Sequence, residues 1–243
     1  MILVVSGIVI GVAVAIIFRN SHAPSALSEI RNPASIGNVL TLLPDPVSLD
    51  NDQPLLVPPP PEVDPALIDS LLPRDSILAI DEPQFQTAEE ASQSLAPDKR
   101  GIGLVINGDA RAYPIPVLSV HEIVNDNVGG EPVAITWCPL CYTALVFSRQ
   151  VNEAMEPLSF GVSGKLLYET LVMYDRQTES LWSQLYGAVV DGSMAGARLA
   201  FFPSVFTEWG AWLQQHPETL VLDKGATCAR FQCGTYSSNP RGS

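Results

Sequence analysis

Positive charge is scarce in this sequence. Lys and Arg number 13 against 26 Asp and Glu, a formal net charge of -13 over 243 residues. No basic run, zinc-finger spacing or aromatic RNA-binding pattern occurs. So acidic a surface repels phosphate backbones, which argues for no nucleic acid among the partners. Charge of either sign is thin, at 16% of residues, whereas hydrophobic residues reach 47% and leave ample material for a core. The length allows one large domain or two small ones. Cysteine is confined to two close pairs, Cys138/Cys141 and Cys228/Cys233. An even, paired count suits disulfides in an oxidising compartment or a four-thiolate metal site. Four unrelated buried thiols are the third possibility, because the sequence does not bring the pairs together.

Charge is wholly absent from residues 1–18, MILVVSGIVIGVAVAIIF. At helical rise this run spans ~27 Å, close to the hydrocarbon thickness of a bilayer. It predicts a single transmembrane anchor over residues 1–19 that touches lipid through 1–18. A cleaved signal peptide is the rival, but its usual basic leader is missing. Gly7 and Gly11 form a GxxxG spacing that lets a partner helix approach closely. Arg19 and Arg31 follow the segment and, taken literally, would hold the following domain in the cytoplasm. The acidic domain and the paired cysteines favour the opposite side, so the expectation is a single-pass cell-membrane protein with a periplasmic or otherwise extracytoplasmic domain.

Residues 20–75 read as a Pro-rich, extended tether. Proline runs favour polyproline II and block helix interiors and central strands. Leu55, Leu56 and Val57 precede Pro58, Pro59, Pro60 and Pro61. A purely solvated spacer does not need such apolar residues, so this strip is expected to lie along another subunit. One helical turn is expected over 66–72.

From residue 76 the patterning turns to short apolar runs between Gly and Asn turns, up to a polar tail at 239–243. Thr87 opens a helix over 87–95, with Glu89 and Glu90 in its first turn. Residues 103–106 and 110–113 flank Asn107-Gly108 as a hairpin. A helix over 115–123 is expected to end near Asn125-Asp126-Asn127, with Gly129-Gly130 as the next turn. Strands are expected over 133–137, 144–147, 159–162, 166–174, 180–185, 187–190 and 219–222. A helix over 207–216 is expected to be capped by Thr207. The fold class is therefore mainly β (α+β): an antiparallel sandwich or open barrel with a few short helices.

The strings DEP (81–83), AEEA (88–91), GDARAYP (108–114), HEIVND (121–126), PVAITWCPLCYTALVFSR (132–149), FGVSGKL (160–166), LVMYDRQTESLW (171–182) and WGAWLQQHPETLVL (209–222) resemble the DUF3179 family over residues 76–238. The resemblance implies one domain in an exported or anchored setting, and it implies no particular reaction. The family often follows Cys-Pro-Leu with Thr-Gly or with Cys; here the position is Cys141. Cys228 and Cys233 are not features of the family.

Four places carry candidate chemistry. Cys138-Pro139-Leu140-Cys141 has the spacing of a redox motif, but it lies between β-type runs rather than at a helix start that would acidify a thiol. With His121 it forms a candidate copper or zinc ligand set; a β corner held by packing or by a disulfide is the plain alternative. His121 is also a candidate base beside Glu122 or Asp126, against a histidine simply hydrogen-bonded at a seam. Ser163 lacks the spacing of a nucleophile elbow and reads as a turn serine. Asp175 and Arg176, with Trp182 and Gln184 nearby, read as an Asx turn and an ion pair rather than a polar ligand site.

With no complete catalytic set, the expectation is a non-catalytic accessory subunit of a larger membrane complex, such as a respiratory or photosynthetic one, needing no cofactor. The alternative is an extracytoplasmic metal-binding or thiol-redox domain built on His121, Cys138 and Cys141.

Overall fold

A computed structural model describes residues 62–223. The expected anchor with Gly7 and Gly11, the strip from Leu55 to Pro61, and Cys228, Cys233 and the polar tail lie outside the described residues. Among the described residues no helix is long and apolar enough to cross a membrane.

Asp64 accepts the Ala66 N–H and opens a 3-10 turn, Pro65–Leu67, that runs into strand β1 (Ile68–Ser70) where a helical turn was expected. Strand β2 (Phe85–Thr87) leads into helix α1 (Ala88–Ser92). The Thr87 side chain accepts the Glu90 N–H while the Glu90 carboxylate accepts the Thr87 N–H, a reciprocal cap. Strands β3 (Arg100–Ile106) and β4 (Asp109–Pro114) form the expected hairpin on Asn107-Gly108. Helix α2 (Ile115–His121) follows, then β5 (Ile123–Val128), β6 (Glu131–Cys138) and β7 (Thr143–Ser148). The chain continues through β8 (Phe160–Leu167), β9 (Thr170–Asp175), β10 (Leu181–Ser183) and β11 (Ala188–Asp191). It closes with β12 (Phe201–Phe202), β13 (Val205–Glu208), helix α3 (Trp209–Gln215) and β14 (Leu220–Leu222).

The fold is mainly β. Its strands pair as β1-β8-β9-β10-β11, β12-β7-β6-β5 and β13-β3-β4-β14-β2. Every pairing between named strands is antiparallel except β4 with β14, which is parallel. The sheet holding β6 is buried on both faces, and the alternation of side chains along a strand shows it. Val133, Ile135 and Trp137 join a core with Ile102, Leu104, Tyr113 and Leu118. Ala134 and Cys138 join a second core with Phe160, Leu171, Met173 and Trp182. Burial on both faces explains why PVAITWC reads as nearly continuous apolar sequence. A third cluster seats Trp209 and Trp212 of α3 against Ala112 and Val221. Gly103 makes that seat possible: a Cβ there would lie 2.3 Å from the Trp212 ring.

Three local expectations are corrected. Residues 123–128 form β5, not a helix end and turn. Asn125 is buried and replaces a turn's solvent with protein: it donates to the Asp81 side chain and to the Phe160 carbonyl at 2.8 Å each, and accepts the Phe160 N–H at 2.9 Å. Residues 166–174 are not one strand. A two-residue turn at Tyr168-Glu169, with φ of 50° and 61°, separates β8 from β9 without a glycine to announce it. Thr207 lies in β13, so Glu208 holds the cap position of α3 and makes no side-chain cap bond.

Candidate functional site

The features with the most chemical potential meet at one end of the β5–β6–β7 sheet. Cys138 ends β6, faces Thr143 across the ladder, and is connected to it by a turn through residues 139–142. Tyr142 closes that turn at φ 54°. The Cys141 N–H donates to Cys138 Sγ at 3.4 Å, and Cys141 Sγ lies 4.0 Å from the Cys138 carbonyl. Cys138 is buried and Cys141 half-buried, both as free thiols. Burial, reinforced by the Cys141 side chain, pushes the Cys138 thiol up to about 11. At neutral pH it is a protonated thiol, the reverse of an activated nucleophile.

Outward of the corner stands an aromatic group. Trp137 stacks on Phe206 with centroids 5.7 Å apart, and Tyr142 meets Trp137 edge-on at 4.9 Å and Phe206 edge-on at 5.7 Å. The Arg100 guanidinium lies 5.8 Å from the Phe206 ring and donates to the Tyr142 hydroxyl at 3.5 Å. Trp137 is buried and its Nε1 donates to Ser119 of α2 at 3.2 Å. Leu140, Tyr142 and Phe206 are 67%, 58% and 39% exposed, so the surface of this group is apolar and open.

On the inner side, Gln184 is fully buried and pins the base of the corner. Its Nε2 donates to Thr136 Oγ1 at 3.0 Å and to the Thr143 carbonyl at 3.2 Å. Its Oε1 has no partner. The opposite amide orientation would set Oε1 against the Thr143 carbonyl, so the carbonyl contact fixes the side chain as it stands.

His121 and Glu122 lie where α2 gives way to β5. His121 Nδ1 lies 2.7 Å from the Leu78 carbonyl. The Trp137 N–H donates to the Glu122 carbonyl at 2.7 Å, and burial alone holds the Glu122 carboxyl at about 7. The corner thus brings Cys138 and Cys141 together. Among the described residues no group of three or more His, Cys, Asp or Glu side chains is placed to hold a metal. Ser163 sits at the irregularity of β8, donates to the Val172 carbonyl and accepts the Lys165 N–H at 3.1 Å. Asp175 accepts from the Thr178 N–H and hydroxyl and from Trp182 Nε1, the last at 2.9 Å. Arg176 donates to Asp81 and Ser159 at 2.7 Å each.

A crevice beneath α3, lined by residues that include Arg100, Gly103 and Trp212, has room for about 10 Å³, about that of one water.

Sequence reasoning missed a buried polar set that joins the sheet of β4 to the sheet of β5. Tyr113 donates to Asp126 at 2.6 Å, and Arg149 donates to the carbonyls of Val133, Leu158 and Asp126 at 3.1, 2.8 and 3.0 Å. Burial raises the Asp126 carboxyl and raises the Tyr113 hydroxyl further, with Asp126 adding to it. The available signal was a polar residue set among apolar ones in HEIVND. Tyr113→Phe removes the donor while keeping the ring. It is expected to cost about 1–3 kcal/mol in urea unfolding, because Asp126 keeps its burial and its Oδ2 loses its donor.

The model of a family described as "Protein of unknown function (DUF3179)" matches residues 74–243. The chain belongs to the DUF3179 family. No curated protein and no solved structure matches it. In this DUF3179 chain the matched residues include both the Cys corner and the aromatic group above it.

Proposed function

We propose that this DUF3179 chain is a membrane-anchored, non-catalytic accessory subunit of a larger membrane complex. Residues 1–18 lie in the bilayer, the Pro-rich stretch runs along neighbouring subunits, and the β domain stands outside the cytoplasm. One observation carries the reading: the open pair of Tyr142 and Phe206, braced by Arg100 and backed by buried Trp137, with exposed Leu140 in the same turn as Tyr142. Scattered exposed apolar residues are ordinary on a soluble surface, but grouped aromatics beside an arginine have the composition of an interface centre. The polar candidates support the same reading. Asp126, Asp175 and Ser163 spend their hydrogen bonds inside the fold, and the buried Cys138 thiol is held protonated.

The test is native-size analysis of the full chain purified in mild detergent, with the co-purifying proteins identified by mass spectrometry. The wild type is expected in an assembly much larger than the chain alone. Tyr142→Ala with Phe206→Ala is expected to reduce that association at least tenfold, since truncating an interface aromatic commonly costs about 2 kcal/mol or more. A wild-type chain that runs as a solitary subunit would overturn the reading.

A second reading, a metal-binding (copper or zinc) or thiol-redox domain on His121, Cys138 and Cys141, is favoured by the contacts of Cys141 with Cys138. As a metal site it expects stoichiometric metal by elemental analysis and loss of that metal in Cys141→Ser.

A further inference from the structure

The two cysteines do not merely neighbour the exposed aromatic group; the turn between them carries part of it. Leu140 lies inside the Cys138–Cys141 span and Tyr142 directly follows it. We propose that Cys138 and Cys141 form a reversible internal disulfide by exchange with an external disulfide, and that its closure reshapes the Leu140–Tyr142 surface and so regulates docking. The regulatory half rests on the docking function proposed above.

Three geometric facts support it. Both ends of Cys141 lie against Cys138, the N–H at 3.4 Å from the Cys138 sulfur and the Cys141 sulfur at 4.0 Å from the Cys138 carbonyl. A disulfide needs its two residues to be neighbours in space, with Cβ atoms about 4 Å apart. The two residues also differ in burial: Cys138 is 1% exposed, whereas Cys141 is half-buried and packs against the edge of the inner core. Finally, the base of the turn is fixed. Thr143 is held in the ladder opposite Cys138, its carbonyl accepts from buried Gln184, and its hydroxyl donates to the Cys141 carbonyl at 3.2 Å. With Thr143 held, displacement on closure falls on residues 139–142, where Tyr142 already adopts φ 54°.

Access sets the order of the chemistry. Cys141 gives its proton to solvent, and its thiolate attacks one sulfur of a small disulfide such as glutathione disulfide. That S–S bond breaks and one glutathione thiolate leaves, taking up a proton. A mixed disulfide now joins Cys141 to the second glutathione. Cys138 then attacks the Cys141 sulfur as its proton passes to the departing second glutathione. The step needs no free Cys138 thiolate and is slow at neutral pH, as a buried thiol requires. Two protein thiols are oxidised and one external disulfide is reduced. The Cys141 N–H, already directed at Cys138 Sγ, stabilises charge developing on that sulfur.

The test uses the full chain in mild detergent, equilibrated in glutathione buffers from reducing to oxidising, acid-quenched, alkylated, digested and weighed. Under reducing conditions the peptide holding residues 138–141 is expected to take two alkyl groups. Under oxidising conditions it is expected to take none and to weigh less by two hydrogens. Cys141→Ser is expected to abolish the internal disulfide and leave Cys138 alkylatable only after unfolding. Cys138→Ser is expected to stall at the first step, with one glutathione retained on Cys141. If Cys138→Ser fails to fold, the wild type and Cys141→Ser still decide. Amide hydrogen exchange over residues 139–143 is expected to change at least threefold between the two redox states. Two thiols still alkylatable in the fully oxidising buffer would overturn the proposal, as would pairing of Cys141 with Cys228 or Cys233. Unchanged exchange over 139–143 would overturn the regulation. A chain that closes the disulfide but runs as a solitary subunit in both states would show instead that the docking reading had failed.

Discussion

Gly129→Ala is expected to destabilise the domain by about 3–5 kcal/mol, while Gly130→Ala, one residue on, costs only about 1 kcal/mol. The two glycines form the turn between β5 and β6, and both have positive φ, 57° and 90°. An alanine at either pays the left-handed penalty of an L residue, about 1–2 kcal/mol at most. The difference lies in what surrounds them. A Cβ on Gly130 meets nothing within 4 Å, whereas one on Gly129 would sit 2.1 Å from the Ile106 carbonyl oxygen. That oxygen belongs to the backbone at the end of β3, paired across the ladder with Asp109, so it cannot swing aside as a side chain would. The turn is also fastened in place. The Gly129 N–H donates to Asp109 at 3.1 Å, and the Gly129 carbonyl accepts from the Asn107 side chain at 2.8 Å. Asp109 is itself held as a carboxylate, below its ordinary range, chiefly by the two-point contact with Arg111. Relieving the clash therefore means parting two hairpin turns at once. Urea unfolding of both variants checks this, and equal losses in the two would show that the packing at Ile106 is not what selects glycine.

The same turns show what a sequence makes legible. Asn107-Gly108 and Gly129-Gly130 need positive φ at consecutive positions, and those residue types supply it cheaply, so both turns are legible in the sequence. The Thr87 cap was equally readable, because an oxygen three residues ahead of a carboxylate suffices to define it. Tyr168-Glu169 makes a turn of the same kind without glycine, asparagine or aspartate, and there local chemistry was silent. β5 failed for a different reason. Asn125-Asp126-Asn127 carries turn residues, but its first two side chains are satisfied by Phe160, Asp81 and Tyr113, partners 13 to 44 positions away. Tertiary bonding overrode local preference.

The candidate site divides along the same line. The cysteine spacing is a local pattern and was visible. The surface around it is not local: Arg100 comes from β3, Tyr142 from the turn and Phe206 from β13, which pairs with β3. No period in the sequence links positions 100, 142 and 206. They meet because β13 adds to the edge of one sheet where the turn of another ends. Gln184 was named only as a neighbour of Asp175, yet it works under the cysteine turn instead.

Glu122→Gln is expected to stabilise the domain by about 2 kcal/mol at pH 8 and to change little at pH 4. The backbone gives Glu122 no freedom to withdraw from its place. It ends α2 at φ 59°, its N–H donates to the Leu118 carbonyl at 2.6 Å, and its carbonyl accepts the Trp137 N–H at 2.7 Å. The half-buried carboxyl is raised from the ordinary 4.5 to about 7 by desolvation. Below the unfolded-state value both states carry the proton, and the group contributes nothing to the difference. Between 4.5 and 7 the unfolded chain ionises while the folded one keeps its proton, so stability falls as pH rises. Above 7 the cost is complete and levels off. The full rise corresponds to about 3 kcal/mol at most, and solvent at the exposed side of the group screens it to about 2 kcal/mol. Asp126, also raised by burial, adds a slope of the same sign, while Asp109, lowered by Arg111, adds one of opposite sign. The informative quantity is therefore the wild-type minus variant difference in urea unfolding free energy, taken at pH 4, 6 and 8. It should open steadily across that window and then stay flat. A constant difference would mean that Glu122 reaches water freely, and that the junction of α2 and β5 beside the cysteine turn is not the desolvated place the fold makes it.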